Sequence, residues 1–325
     1  MTTVSDQLME YGGVPVGAGR LAKIFQAKNI FFVDGTYGQD GWTAKTPRKA
    51  VALPSVAVGL AAKEGIIYVA PKSTIACADV YYSDNIVIPV TKPLVQLIGA
   101  GAGTVPGYRG AVQIRPLVDT THIIDVKSAG VVLENLHIND TGGGTGKSGI
   151  NADRLGTDSN AVSLQVRHCR FISTVSYSSI CGALFLGSNQ YCIIEDNIFL
   201  SCKRGLLMRA TSGSPQSFTV RRNIFCGKVT ERDVDLHIAM TDIESKGHII
   251  ADNIFADGLP NLAAGLTKRF IWSEGAETAV STGIISNNFF ATNAGTFGTT
   301  GNAGIVPAGW FLAGNHSQGG LLART

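Results

Sequence analysis

The sequence predicts an all-β protein, a single-stranded, right-handed parallel β-helix (solenoid) with a short N-terminal capping helix and an extended N-terminal arm. Three observations carry this expectation. Charged residues are 16% of the 325 residues while glycine numbers 39, a low-charge, turn-rich composition below the roughly one-quarter charge of an average globular chain. One short motif, an apolar strand followed by Asn and two apolar residues, returns through the C-terminal two thirds. Its copies stand about 26 to 35 residues apart, the period of a repeat architecture rather than of a globular fold.

The motif reads Val132-Leu-Glu-Asn135-Leu-His-Ile138, then Ile193-Ile-Glu-Asp-Asn197-Ile-Phe199, Val220-Arg-Arg-Asn223-Ile-Phe225, Ile250-Ala-Asp-Asn253-Ile-Phe255 and Ile285-Ser-Asn-Asn288-Phe-Phe290. Two weaker copies are Val166-Arg-His-Cys169-Arg-Phe171 and Phe311-Leu-Ala-Gly-Asn315-His316. Asn tolerates a left-handed backbone at a bend. Its amide has two donors and an acceptor oxygen, so a buried Asn can bond its counterpart one coil away. A structural ladder of Asn135, Asn197, Asn223, Asn253, Asn288 and Asn315 is therefore expected, with Ile and Phe stacking beside it. A second strand recurs between the anchors at Gly182–Leu186, Gly205–Arg209 and Asp235–Ala239, and Leu184 to Leu206 spans about 22 residues, near the length of one coil. The polar stretches 141–158 and 258–267 read as loops.

Toward the N-terminus, Ile30–Val33, Ile66–Ala70, Ile86–Ile88 and Val95–Ile98 read as strands. Between the first two, a helix is expected from about Pro54 to Lys63, with Pro54 in its first turn and Gly65 as its stop. Such a helix would cover the apolar end of the solenoid, which an open edge would otherwise leave prone to aggregation. The β-helix is expected to occupy 29–325, with a C-terminal cap over about 305–325. Residues 1–28 are expected to form the arm.

Composition also limits function. Net charge is +3 with no basic run, which disfavours nucleic acid as a partner. No apolar stretch approaches the roughly 18 residues of a membrane span, and residues 1–6 lack the pattern of a secretory signal. Six cysteines without a CxxC pair read as reduced core residues rather than disulfides or zinc ligands, which suits assembly in a reducing cytoplasm. No cofactor and no metal are expected.

The residues that can carry chemistry are few. Glu231, Asp233, Asp235 and His237 alternate along one strand, so period 2 would set them on one outer face, with Val234, Leu236 and Ile238 inward. Asp233, Asp235 and His237 are the weak catalytic candidates, against the simpler reading of a solvated strand face. Asp196, Asp252 and Asn287 precede Asn anchors at equivalent places and would line up as a row. Arg222 falls in the same row, so mixed-charge pairing along the stack is expected. His122, His137, His168, His248 and His316 show no metal-ligand spacing. Trp42, Trp272 and Trp310 are candidates for sugar stacking, the latter two equally for core. Gly99–Gly103 follows a strand with no helix pattern after it and reads as a turn.

The run from Val33 to Gly99, with Gly38-x-Asp40-Gly-x-Thr43, an Ala-rich helix, Ile67-Tyr-Val-Ala-Pro71 and Val95-x-Leu-Ile-Gly99, resembles the opening of the pectate-lyase-like β-helix superfamily common in phage tailspikes and other viral β-helix proteins. The segment Ser5-Asp-Gln-Leu8-x-x-Tyr11-Gly12-Gly13-Val14-Pro15-Val-Gly17 resembles the start of phage virion β-helix proteins. The resemblance implies a virion protein assembled in the host cytoplasm. It implies a homotrimer, with Leu8, Tyr11, Gly12, Gly13, Val14 and Pro15 binding phage capsid or tail proteins. A non-catalytic capsid decoration or cement role is the leading expectation. The alternative is a tailspike-type protein that binds or cleaves host surface polysaccharide, as a lyase or glycoside hydrolase. The polygalacturonase-like and pectate-lyase signatures (Asn-Thr-Asp, Gly-His-Gly, Arg-x-Pro-x-x-Arg) do not occur in the chain.

Overall fold

A computed structural model describes residues 10–11, 14–15, 29–72, 80–101, 111–118, 121–140, 147–154, 156–173, 181–200, 202, 204–209, 213–226, 236–241, 246–256, 269–273, 282–290, 304–305, 309–317 and 320–321. Each coil between Ile66 and Ile305 contributes one short strand to each of three sheets. The first sheet has ten strands, from Ile30–Val33 to Trp310–Ala313, all parallel. The second has ten, from Tyr81–Ser83 to Gly320–Leu321, and the third has eight, from Ile86–Ile88 to Gly304–Ile305. Successive strands of one sheet are one coil apart in sequence, and the chain winds as a right-handed parallel β-helix, the hand that parallel crossovers adopt.

The interior is a set of stacked like residues. In the second sheet, Phe171, Phe199, Phe225, Phe255 and Phe290 form a column of parallel rings with centroids 4.6, 4.7, 5.1 and 4.9 Å apart. Those spacings match the roughly 4.8 Å between neighbouring strands, so each coil sets its ring directly on the last. Leu97, Leu133, Val166, Ile194, Val220, Ile250 and Ile285 form a matching aliphatic column in the first sheet, all fully buried.

The capping helix α1 spans Pro54–Leu60, with Pro54 in the first turn as expected. It ends three residues short of the expected Lys63, because Ala61 leaves the helical region. Glu64, not Gly65, takes the left-handed turn that follows (φ 61°). Ala57, Val58 and Ala61 join the main core, and polar contacts from other coils hold both ends of the helix. Asp84 Oδ2 accepts the Ser55 N–H at 2.8 Å. Lys92 Nζ donates to the carbonyls of Val58 and Gly59. Asp40, from the glycine-rich loop, accepts the N–H groups of Ala52 and Leu53 at 2.9 and 3.1 Å and so sets the entry to α1.

Three further expectations change. The stretch 141–158 is not all loop, since Ser148–Arg154 is a seven-residue strand of the third sheet. Its polar composition misled because only Ile150 and Ala152 need join the main core. Leu206 pairs with Ala183, and Leu184 with Leu207, which shifts the coil length by one residue. In the segment expected to form an extended arm, Glu10–Tyr11 and Val14–Pro15 pair antiparallel, Tyr11 opposite Val14. Leu8, Gly12 and Gly13 lie outside the described residues. At the C-terminus, His316–Ser317 completes a regular coil and Gly320–Leu321 turns back antiparallel against it.

Candidate functional site

The Asn column is the most complete polar feature. Asn223 uses its whole amide: Nδ2 donates to Ile194 O (2.9 Å) and Asn253 Oδ1 (3.0 Å), while Oδ1 accepts Asn197 N (3.0 Å) and Asn197 Nδ2 (2.9 Å). The same pattern runs through Asn253 and Asn288 to Asn315, and all five side chains are buried. A buried amide costs stability unless its capacities are met; here each coil meets those of its neighbour.

Asn135 does not belong to this ladder. The sheet register sets Glu134 against Arg167, so Asn135 aligns with His168 and Leu136 with Cys169. Leu136 is fully buried in the anchor slot. Asn135 instead takes the left-handed position of its coil (φ 58°), which His168, Asp196, Arg222, Asp252 and Asn287 occupy in later coils at φ 51° to 58°. The left-handed residue at the bend is therefore the one before the anchor, and the ladder Asn itself serves as a hydrogen-bonding spacer. Cys169 keeps the slot but ends the ladder, with its N–H donating to Asn197 Oδ1 at 2.8 Å.

The row of bend residues pairs charges as its sequence suggested. Arg222 Nε and Nη2 bond the two oxygens of Asp196, each at 2.8 Å. Beside them Glu195, 6% exposed, lies 2.9 Å from Arg167 Nε, 2.7 Å from Arg221 Nε and 3.0 Å from Arg222 Nη2. Burial opposes ionisation of Glu195, yet Arg221, with Arg167 and Arg222, outweighs it and holds the carboxyl below its usual range. The hydrogen bond from Arg222 does the same for Asp196, against a smaller burial effect. Both are committed anions, the opposite of the raised carboxyl a general acid needs.

Of the catalytic candidates, Asp233 and Asp235 lie outside the described residues. His237 is corrected: it is 3% exposed, inside the coil rather than on a solvated face. Its ring stacks on Phe270 (5.4 Å) and lies against Phe225 and Phe255 (both 5.8 Å). Strict alternation failed because the register skips one residue at this position in five successive coils. The third-sheet pairing passes over Gly149, Gly182, Gly205, His237 and Phe270 in turn, and at this skip His237 and Ile238 are both buried. In earlier coils the position is glycine because a Cβ would meet the Phe column; one on Gly205 would lie 2.7 Å from Phe225 Cδ1 and 2.7 Å from the carbonyl oxygen of His237.

The other singled-out residues divide between core and surface. His248 is buried between Phe218 and Trp310, and burial lowers its pKa to about 4. Trp310, 2% exposed, is core and offers no face to a sugar. Trp42 is part-exposed, and the side chain of Trp272 is outside the described part. His122 Nδ1 accepts the Ser148 N–H at 3.1 Å, while His168 and His316 are exposed. Cys169 and Cys192 are free and buried, burial pushing both thiols up to about 12, which makes them inert as nucleophiles. Among the described residues no three His, Cys, Asp or Glu side chains cluster to hold a metal ion. No helix among them is long and apolar enough to cross a membrane.

No protein-family model matches the chain, and neither does any curated protein. Among solved structures it is similar to a pectin methylesterase from Aspergillus niger, at 13% identity and a TM-score of 0.45, over 90% of this chain and 86% of that one. It is also similar to a GH136 lacto-N-biosidase from Eubacterium ramulus, at 10% identity and a TM-score of 0.32, over 92% and 69% of the two chains. With both scores below one half, the class of the protein rests on its own three stacked sheets: it is a parallel β-helix protein.

Proposed function

We propose that this chain is a non-catalytic structural protein of a phage virion, a homotrimeric decoration or cement protein held to the particle through residues 1–28. The observation that carries the reading is the use of its polar side chains. The Asn ladder, the clamped Glu195 and the Arg222–Asp196 pair all bond along the stack, and the catalytic candidate His237 is core. A β-helix built this way is a stiff rod whose side chains serve stability. The N-terminal resemblance to virion β-helix proteins supplies the context.

The test is where the protein sits. In particles assembled from the genome that encodes it, density on the capsid, lost when residues 1–28 are deleted, is the expected result. Density on the tail, with purified full-length protein depolymerising host polysaccharide and Asp233→Asn abolishing that activity, would overturn the proposal in favour of a tailspike-type enzyme.

A further inference from the structure

The outer face of the second sheet is cationic in its early coils. Ile114, Ile138 and Phe171 are buried in the core, so alternation along their strands turns Arg115, His137, Asn139 and Arg170 outward. His137 stands between Gln113 and Arg170 of the neighbouring coils, and the same register sets Arg115 level with Asn139. The Arg115 guanidinium lies over the Tyr81 ring, 3.8 Å from its centre, an attraction that holds the side chain without using its N–H donors.

Four polar atoms of this face are buried and bond nothing: Arg115 Nε, His137 Nε2, Asn139 Oδ1 and Arg170 Nε. Asn139 as a whole is 6% exposed. Elsewhere the chain matches its arginines, since Arg167, Arg221 and Arg222 all reach Glu195. Among the described residues no carboxylate pairs with Arg115 or Arg170. A buried donor or acceptor left unpaired costs stability, most of all on a charged group. Burial lowers the Arg170 pKa, while burial, then Arg170 and Arg115, lower that of His137 to about 4. The imidazole is therefore neutral at pH 7, and it lies between two positive charges.

We propose that this face binds a phosphate group in its hydrogen-bearing form, with Arg115 and Arg170 donating to its oxygens and Asn139 Oδ1 accepting its hydroxyl proton. The unmatched atoms dictate that chemistry. Two guanidinium N–H groups require an anion, and guanidinium pairs well with phosphate oxygens. The bare amide oxygen requires that the same anion also carry a proton to give. Sulfate and carboxylate have the charge but no hydroxyl at neutral pH, so they would leave Asn139 Oδ1 unpaired. A neutral sugar has hydroxyls but would leave the guanidiniums uncompensated. Arg115 and Arg170 stand two coils apart, roughly 10 Å across the sheet, with His137 and Asn139 on the strand between them. Both charges act on His137, which places the two guanidiniums on either side of one small group. The inference goes beyond the structural role proposed above and does not rest on it.

The experiment follows the His137 ring proton of the full chain by NMR, assigned with His137→Gln, during pH titrations in millimolar phosphate, sulfate or chloride at matched ionic strength. Inorganic phosphate should move the resonance and raise the His137 pKa from about 4 by about 1 unit or more, as an anion within a few ångströms does. Sulfate and chloride should leave it in place. Arg115→Gln and Arg170→Gln should each weaken phosphate about tenfold with an unchanged far-ultraviolet spectrum, whereas Arg48→Gln, exposed and outside this face, should not. Asn139→Leu should erase the preference for phosphate over sulfate. Glycerol phosphate near pH 5, where a monoester still holds a hydroxyl, separates the sources: a matching shift assigns the site to phosphomonoesters, and none assigns it to the free ion. A His137 resonance that phosphate leaves in place, or that sulfate moves equally, would overturn the inference.

Discussion

Replacing Asn253 with Ala isolates what the ladder contributes. The side chain makes four bonds: Nδ2 to Val220 O and to Asn288 Oδ1, each 3.0 Å, and Oδ1 from Asn223 N at 2.9 Å and Asn223 Nδ2 at 3.0 Å. In Asn253→Ala, Asn288 Oδ1 keeps the Asn253 N–H and Asn223 Nδ2 keeps Ile194 O. The Asn223 N–H and one bond to Val220 O are lost in a dry interior. At about 1 to 3 kcal/mol for a buried group left unpaired, plus the cavity left by the amide, the variant should lose about 4 kcal/mol. Asn135→Gly is the control, because Asn135 is half-buried, holds a left-handed φ of 58° and lies outside the ladder. Glycine adopts that conformation freely, so its effect should stay within about 1 kcal/mol. Urea unfolding followed by circular dichroism reads the difference; with a slope of about 3 kcal/mol/M the midpoints should separate by about 1 M. Equal midpoints would refute the ladder's role and return Asn135 to equal standing with the other anchors.

Other outcomes follow from the same geometry. Cys169→Asn should extend the ladder by one coil and raise stability by about 1 kcal/mol, since the amide would reach the Leu133 carbonyl that Cys169 Sγ now approaches at 3.6 Å; an unchanged or lower urea midpoint would contradict this. Gly205→Ala would press a methyl against the His237 carbonyl and the Phe225 ring, both 2.7 Å away. It should cost about 2 to 3 kcal/mol, whereas Gly41→Ala, with open space around it, should be tolerated in the same thermal melt. His248 is kept neutral by burial, its pKa falling from 6.5 to about 4. Its contribution is fully present above pH 6.5 and lost as pH falls toward 4, a loss of about 3 kcal/mol. His248→Gln should flatten that part of the pH–stability curve, and a curve of unchanged slope would show that another group is responsible.

The recurring Asn-Ile-Phe motif determined the fold by itself, because a chain that stacks on itself must repeat its core residues and its buried amides at coil spacing. The sequence also determined that Arg222 would pair with Asp196, since both occupy the same slot one coil apart. What it left open was position within the bend. The left-handed corners fall on Asn135, His168, Asp196, Arg222, Asp252 and Asn287; Asn, Asp and His tolerate that conformation, while Arg222 holds it because the buried anchor and the two flanking strands fix the turn around it. The exclusion of Asn135 from the ladder follows from that register, and its local sign is that Asn135 follows Glu134 directly, where Asp196 stands between Glu195 and Asn197. His237 turned inward for a similar reason: alternation presumes a straight strand, and in the five coils from Gly149 to Phe270 the register skips one residue beside the Phe column. The outward apolar column Ile198, Ile224, Ile254 and Phe289 of the second sheet was likewise scattered along the sequence, and only the stacking of coils aligned it.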